Sequence, residues 1–174
     1  MEENKITVGQ VSVKYGLFSG VAGVGYFILL NLMEQGMNQV LGYIGYIILA
    51  AFVFIAHKTF KDDGDGYMNY GQGLGIGTLI SLIHGALGGI FFYVYVSFIN
   101  KGYMQLIFDK QREGMEEQGM DDAQIEQALE MTSKFMSPGL MVVFSILGTV
   151  FFGFIISLIV SAITQNKRPE TDLI

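Results

Sequence analysis

Four long stretches of the chain carry no Asp, Glu, Lys or Arg: Tyr15 to Met33, Val40 to Ala56, Tyr67 to Asn100 and Ser137 to Gln165. Within them the apolar residues run on continuously instead of alternating with polar ones. About 20 mostly apolar residues in a helix suffice to cross the hydrocarbon core of a bilayer. Unbroken apolar runs also exclude barrel strands, which must alternate. Backbone groups in lipid must be satisfied within the segment, so each run is expected to form a helix. The pattern predicts membrane helices over roughly 12–33, 37–57, 70–100 and 138–164.

The segment between the last two runs has a different periodicity. In "YMQLIFDKQREGMEEQG", Met104, Ile107, Phe108, Gln111 and Met115 fall at helical spacing opposite a charged face. In "DDAQIEQALEMTSKFMSPG", Asp121 is placed as an N-cap with Gln124 three positions on, the signature of a capping box. Ile125, Ala128, Leu129, Thr132, Phe135 and Met136 continue the apolar face. Residues 101–137 are therefore expected to form an extramembrane helical hairpin hinged near Gly119. Its polar face is acidic, whereas a helix lying on anionic lipid should be basic there, so the hairpin is expected to stand clear of the headgroups or to pack on protein. The fold class that follows is all-α: an integral membrane four-helix bundle, one membrane domain over 1–174, with this hairpin inserted between helices 3 and 4.

Composition agrees with that reading and narrows it. The 174 residues are 51% hydrophobic and 15% charged, with a mean hydropathy of +0.45; soluble domains carry about 25% charged residues. There are no cysteines, which excludes disulfides, thiolate metal sites and cysteine nucleophiles. A net charge of -6 argues against nucleic acid as a partner. Lys5 and Lys14 precede or begin the first run, Lys58 and Lys61 occupy the second loop, and Lys167 and Arg168 the tail, while the first loop has no basic residue. The positive-inside rule then places both termini in the cytoplasm. No small-x-small cleavage site follows the first run in "NLMEQGMNQ", so it is expected to remain as a membrane helix.

The third run is dense in glycine, and three physical causes compete to explain it. A phosphate cradle requires G-x-G-x-x-G or G-x-x-x-x-G-K-[ST] spacing, and the pattern counted from Gly71 meets Ile76 where the last glycine belongs. A flexible linker would interleave Ser and Gln, not Leu and Ile. Close helix packing remains. Gly73, Gly77, Ser81, Gly85 and Gly89 recur every four residues, as do Ser145, Thr149, Gly153, Ser157 and Ser161 in the fourth run, with a shorter series at Ser12, Gly16 and Gly20. Lines of small residues let backbones approach in lipid, where no hydrophobic force drives association. Each four-residue step rotates the line by about 40°. One straight partner is therefore not expected to cover the whole line, and helix 3 is expected to cross one neighbour near Gly73 and Gly77 and another near Gly85 and Gly89, or to kink between.

Candidate chemistry is sparse. His84 is the one ionisable residue, tyrosines aside, in the middle of a membrane run. Such a group is a functional candidate as a proton relay or substrate contact. A relay needs a partner, and no run supplies a carboxylate, so a neutral imidazole bonded to Ser81, a tyrosine or a backbone carbonyl is the simpler expectation. His57, beside Lys58, is expected at the interface. "KDDGDGYMNYGQG" resembles a calcium loop only until the bidentate Glu is sought, because Gln72 stands there. Asp65 or Asn69 is instead expected near the start of the next helix. No catalytic constellation, metal cluster or cofactor motif is visible, so no enzyme activity and no cofactor are expected.

"KYGLFSG", "GYMNYGQGLGIGTLISLIHGALGGIFFYVYVSFI" and "GMDDAQIEQALEMTSKFMSPG" together resemble the uncharacterised bacterial membrane family called domain of unknown function 4199. The resemblance implies four membrane helices, a helical insertion between the last two, and an inner-membrane location. It implies no activity and no site residues. The resemblance also implies a gene lying near one for a membrane glycosyltransferase acting on lipid-linked sugars, which makes such an enzyme a candidate partner, beside membrane lipid and a second copy of the chain. The function expected is a helix-packing scaffold or accessory subunit of another membrane protein, in lipid-linked sugar or envelope metabolism. The alternative is a small transporter or channel using His84.

Overall fold

A computed structural model describes residues 6–168. It is all-helical, 82% helix, without strands among the described residues. Six α-helices follow in order: α1 Val8–Leu32, α2 Gln39–Asp62, α3 Tyr70–Val94, α4 Tyr103–Glu117, α5 Asp122–Ser133 and α6 Pro138–Thr164. Four spans are long and apolar enough to cross a membrane: Val8–Leu32, Gln39–Asp62, Tyr70–Ile99 and Pro138–Thr164.

Local chemistry explains where these helices begin and end. Thr7 and Gln10 form a reciprocal capping box, with Gln10 N–H donating to Thr7 Oγ1 at 3.2 Å and Thr7 N–H to Gln10 Oε1 at 2.9 Å. That cap starts α1 at Val8, one turn before the apolar run makes it visible. Asn38 Oδ1 caps α2 by accepting from Val40 and Leu41. At its other end α2 continues through His57 and Lys61 to Asp62, beyond the apolar run that suggested an end at 57. Asn69 and Gln72 exchange backbone-to-side-chain bonds of 2.8 and 2.9 Å at the start of α3. Its last turn widens into a π-helix over Tyr95–Ile99, closed by Asn100 N–H donating to Tyr95 O at 2.8 Å.

The chain divides into two compact units. The first comprises α1, α2, most of α3 and α6 from Ile146 onward. In it the start of α1, the end of α2, the start of α3 and the end of α6 come together. Tyr15 and Thr59 hydroxyls meet at 2.6 Å, and Lys61 Nζ donates to Thr164 O at 2.9 Å. Met68 and Asn166 exchange two backbone bonds of 2.8 Å each. Val11, Leu49, Val53, Ala56, Phe60, Met68, Ile76 and Ile80 form the buried apolar cluster.

The second unit, residues 89–145, holds the paired helices α4 and α5. Gly119 turns the chain between them with φ of +77°, a conformation that suits glycine after a helix end. Asp121 and Gln124 form the expected capping box. Ile125 is buried completely, and Tyr103 packs edge-on against Phe92 and Tyr95. The exposed Lys110 ammonium is held above the usual lysine range by its hydrogen bond to Glu113, whose charge adds to the effect.

Candidate functional site

The small residues of α3 and α6 face one another in an antiparallel register. A Cβ placed on Gly73 would meet Ser161 Oγ at 2.8 Å, and one on Gly77 would meet Ser157 Cβ at 2.8 Å. A Cβ on Gly153 would overlap Ser81, and one on Gly85 would meet Thr149 Cβ at 3.1 Å. The pairs 73 with 161, 77 with 157, 81 with 153 and 85 with 149 thus step by four in opposite directions. Gly89 and Ser145, the next pair by that arithmetic, lie in the second unit, where Gly89 is buried and Ser145 donates to Val142 O.

The expected change of neighbour along this line is not what the structure shows: α6 faces it from Gly73 to Gly85, and α2 joins it at Gly73 and Gly77 through His57 and Val53. Its own small residues have the same four-residue period, longer than the 3.6 of a straight helix. Two helices with that shared excess can keep the line between them by wrapping right-handed. The glycines of α1 behave differently. Gly16 and Gly20 form hollows for bulky α3 side chains, Ile83 and Leu87, which approach the added Cβ positions at 2.8 and 2.5 Å.

Most polar groups inside the first unit are consumed locally. Ser12, Thr78, Ser81 and Ser157 each donate to a carbonyl four residues earlier in their own helix, at 2.6–2.8 Å. Ser161 Oγ is buried, facing Gly73, with no hydrogen-bond partner among the described residues.

Each of the two histidines bridges helices. His57 is completely buried, and both ring nitrogens are engaged. Nε2 lies 2.9 Å from Gly73 O and Nδ1 lies 2.7 Å from Thr164 Oγ1, so one ring ties α2 to both α3 and α6. A carbonyl only accepts, which puts the hydrogen on Nε2. With a neutral ring, the Thr164 hydroxyl then donates to Nδ1 in place of Val160 O. Lys61, one turn further, binds the terminal carbonyl of α6, where a cation suits the helix dipole. The sequence offered no sign of this junction, since its members are separated by up to 107 positions.

His84 bonds to Ser19 of α1, not to Ser81, with Nδ1 to Oγ at 2.7 Å. The ring edge lies over Gly23, where an added Cβ would meet Cε1 at 2.7 Å. Among the described residues its Nε2 has no hydrogen-bond partner. Asp65, in the turn once compared with a calcium loop, accepts from Tyr67 N–H and pairs with Arg168.

No curated protein and no solved structure matches the chain. A family described as "Protein of unknown function (DUF4199)" matches residues 14–166, nearly the whole chain. With that coverage, and with four helices able to cross a membrane, the chain belongs to the DUF4199 family.

Proposed function

We propose that the protein is a non-enzymatic, multi-pass component of the bacterial inner membrane: a four-helix bundle with both termini in the cytoplasm, serving as a scaffold or accessory subunit of another membrane protein. The observation that carries this reading is the α3 and α6 register, in which small residues face inward at four successive levels. Such glycine-rich packing makes a tight framework and leaves bulky side chains such as Leu147, Phe151, Phe152 and Ile159 exposed on its outside. The apolar runs hold no carboxylate to drive proton or ion coupling, and coupled transporters typically depend on such groups or on broken helices. The orientation is supported by the gathering of Lys14, Lys58, Lys61, Lys167 and Arg168 toward one end of the first unit, while residues 33–38 at the other hold only the acid Glu34. Residues 101–137 then lie outside the membrane as an acidic contact for the partner. A membrane glycosyltransferase acting on lipid-linked sugars is the partner class suggested by the family resemblance.

One observation favours a second reading, a small transporter or channel: His84 Nε2 is a mid-span polar atom without a protein partner among the described residues. The two readings separate in one pair of measurements. The protein is extracted at its natural expression level in mild detergent and weighed by native mass spectrometry, and the purified chain is assayed for proton flux in liposomes. The scaffold reading expects a stoichiometric second protein and no flux. A chain isolated alone, with a flux that His84→Gln abolishes, overturns it.

A further inference from the structure

The turn between α2 and α3 and the segment after α6 build a cleft of ≈ 510 Å³. Ligand sites commonly occupy about 300–1,000 Å³. Ile6 and Phe60 supply an apolar wall, and Asn69, Gln72, Tyr67, Asp65, Lys167 and Arg168 supply the polar lining. The basic residues are held in place by specific bonds. Asn166 exchanges two backbone bonds with Met68 and donates its side-chain amide to Gly66 O at 2.9 Å. That fastening carries Lys167 and Arg168 over the turn. Arg168 then pairs with Asp65 and stacks on Tyr67, its guanidinium carbon 5.4 Å from the ring centroid.

A guanidinium has five N–H donors, and one carboxylate cannot take them all. Lys167 forms no ion pair among the described residues. The lining therefore sums to one net positive charge, beside the N-terminus of α3, whose dipole also favours an anion. An apolar wall next to a basic rim, at the ends of four apolar helices, matches an amphiphile with a phosphate head.

We infer that this cleft binds the phosphate of an anionic phospholipid headgroup, with Lys167 and Arg168 contacting the phosphate and Ile6 and Phe60 contacting the start of the lipid tails. The inference does not depend on the scaffold reading. Such a site would fix one end of these helices against the membrane surface.

The test uses the full chain in neutral detergent, with short-chain phosphatidylglycerol and short-chain phosphatidylcholine as probes and binding read by native mass spectrometry. Phosphatidylglycerol should bind more tightly than phosphatidylcholine. Lys167→Gln with Arg168→Gln should weaken it by about tenfold, the equivalent of losing two exposed ion pairs. Asp65→Asn keeps the acceptor for Tyr67 N–H and removes the opposing charge, so it should tighten binding by about threefold. A gain confined to phosphatidylglycerol cannot arise from misfolding, because exposed apolar surface takes up phosphatidylcholine as well. Lys101→Gln with Lys110→Gln, in the other unit, should change nothing. Displacement by inorganic phosphate at matched concentration would make the free anion the ligand of the same site, whereas resistance to it identifies the lipid. Equal affinity in the parent and the Lys167→Gln, Arg168→Gln protein overturns the site, as does an Asp65→Asn affinity at or below the parent's.

Discussion

Replacing Gly77 by alanine adds one methyl group at a point of close approach between α3 and α6. The new Cβ would lie 2.8 Å from Ser157 Cβ and 3.1 Å from Val53 Cγ1, and would overlap Ser157 Oγ. Carbon atoms pack best at about 3.5–4.0 Å, so the helices must separate locally by about 1 Å. Turning the Ser157 hydroxyl away does not avoid this, because its Cβ stays in place. It would also break the 2.6 Å bond to Gly153 O. Overpacking of a close-packed interior costs about 1–3 kcal/mol, which sets the expected loss for Gly77→Ala at about 2 kcal/mol. Gly77→Leu should cost more. The register names its own rescue: Ser157→Gly in the Gly77→Ala background removes the opposing atoms and should restore at least half of the loss. Ser157→Ala removes only the oxygen and should restore less. Gly45→Ala is the control, since nothing lies within 4 Å of its added Cβ. The assay is unfolding in titrated denaturing detergent, followed by far-ultraviolet circular dichroism. If Gly77→Ala matches Gly45→Ala, or if Ser157→Gly fails to rescue, α3 and α6 do not pack in this register.

The histidines should rank by the bonds they make. His57→Leu loses two bonds worth roughly 0.6–1.7 kcal/mol each in membrane proteins, so unfolding should detect a loss of about 1–3 kcal/mol. His84→Leu loses one and should cost under about 2 kcal/mol, with His84→Gln close to the parent; the reverse order would refute the junction at His57. Reporter fusions placed after Lys61 and after Glu117 should give opposite signals, cytoplasmic for the first. Identical signals would rule out an odd number of spans between them.

The four apolar runs were legible because lipid demands length and continuity, and both are properties of local sequence. Capping was equally legible at Asp121 and Gln124, three residues apart. Thr7 and Gln10 follow the same rule, but they lie outside the apolar run that drew attention to α1. The small-residue lines could be seen in each helix separately. Their mutual register could not, because pairing Gly73 with Ser161 or Gly85 with Thr149 needs the third dimension. A four-residue line drifts away only from a straight partner, and α6 carries the same period. The bonds of His57 were not legible, because a place beside Lys58 marks a helix end and says nothing of what packs there. Burial followed from Thr164 and the Gly73 carbonyl, which reach it from two other helices. His84 stood out by its isolation, yet its partner Ser19 lies on a helix whose serines gave no distinguishing signal.

The central claim is that α3 and α6 form one antiparallel framework in a single register, and the absence of native cysteines makes it directly measurable. In Gly85→Cys with Thr149→Cys the two Cβ positions are 3.1 Å apart, near the roughly 3.5–4.5 Å of a disulfide. The pair is oxidised in native membranes, and a protease site inserted in the turn at Gly119 is then cut. The two halves should stay joined until reduced. Gly85→Cys with Ser157→Cys, displaced by about 12 Å along α6, should fall apart on cutting. Equal linkage of both pairs, or linkage only between separate chains, would contradict the account.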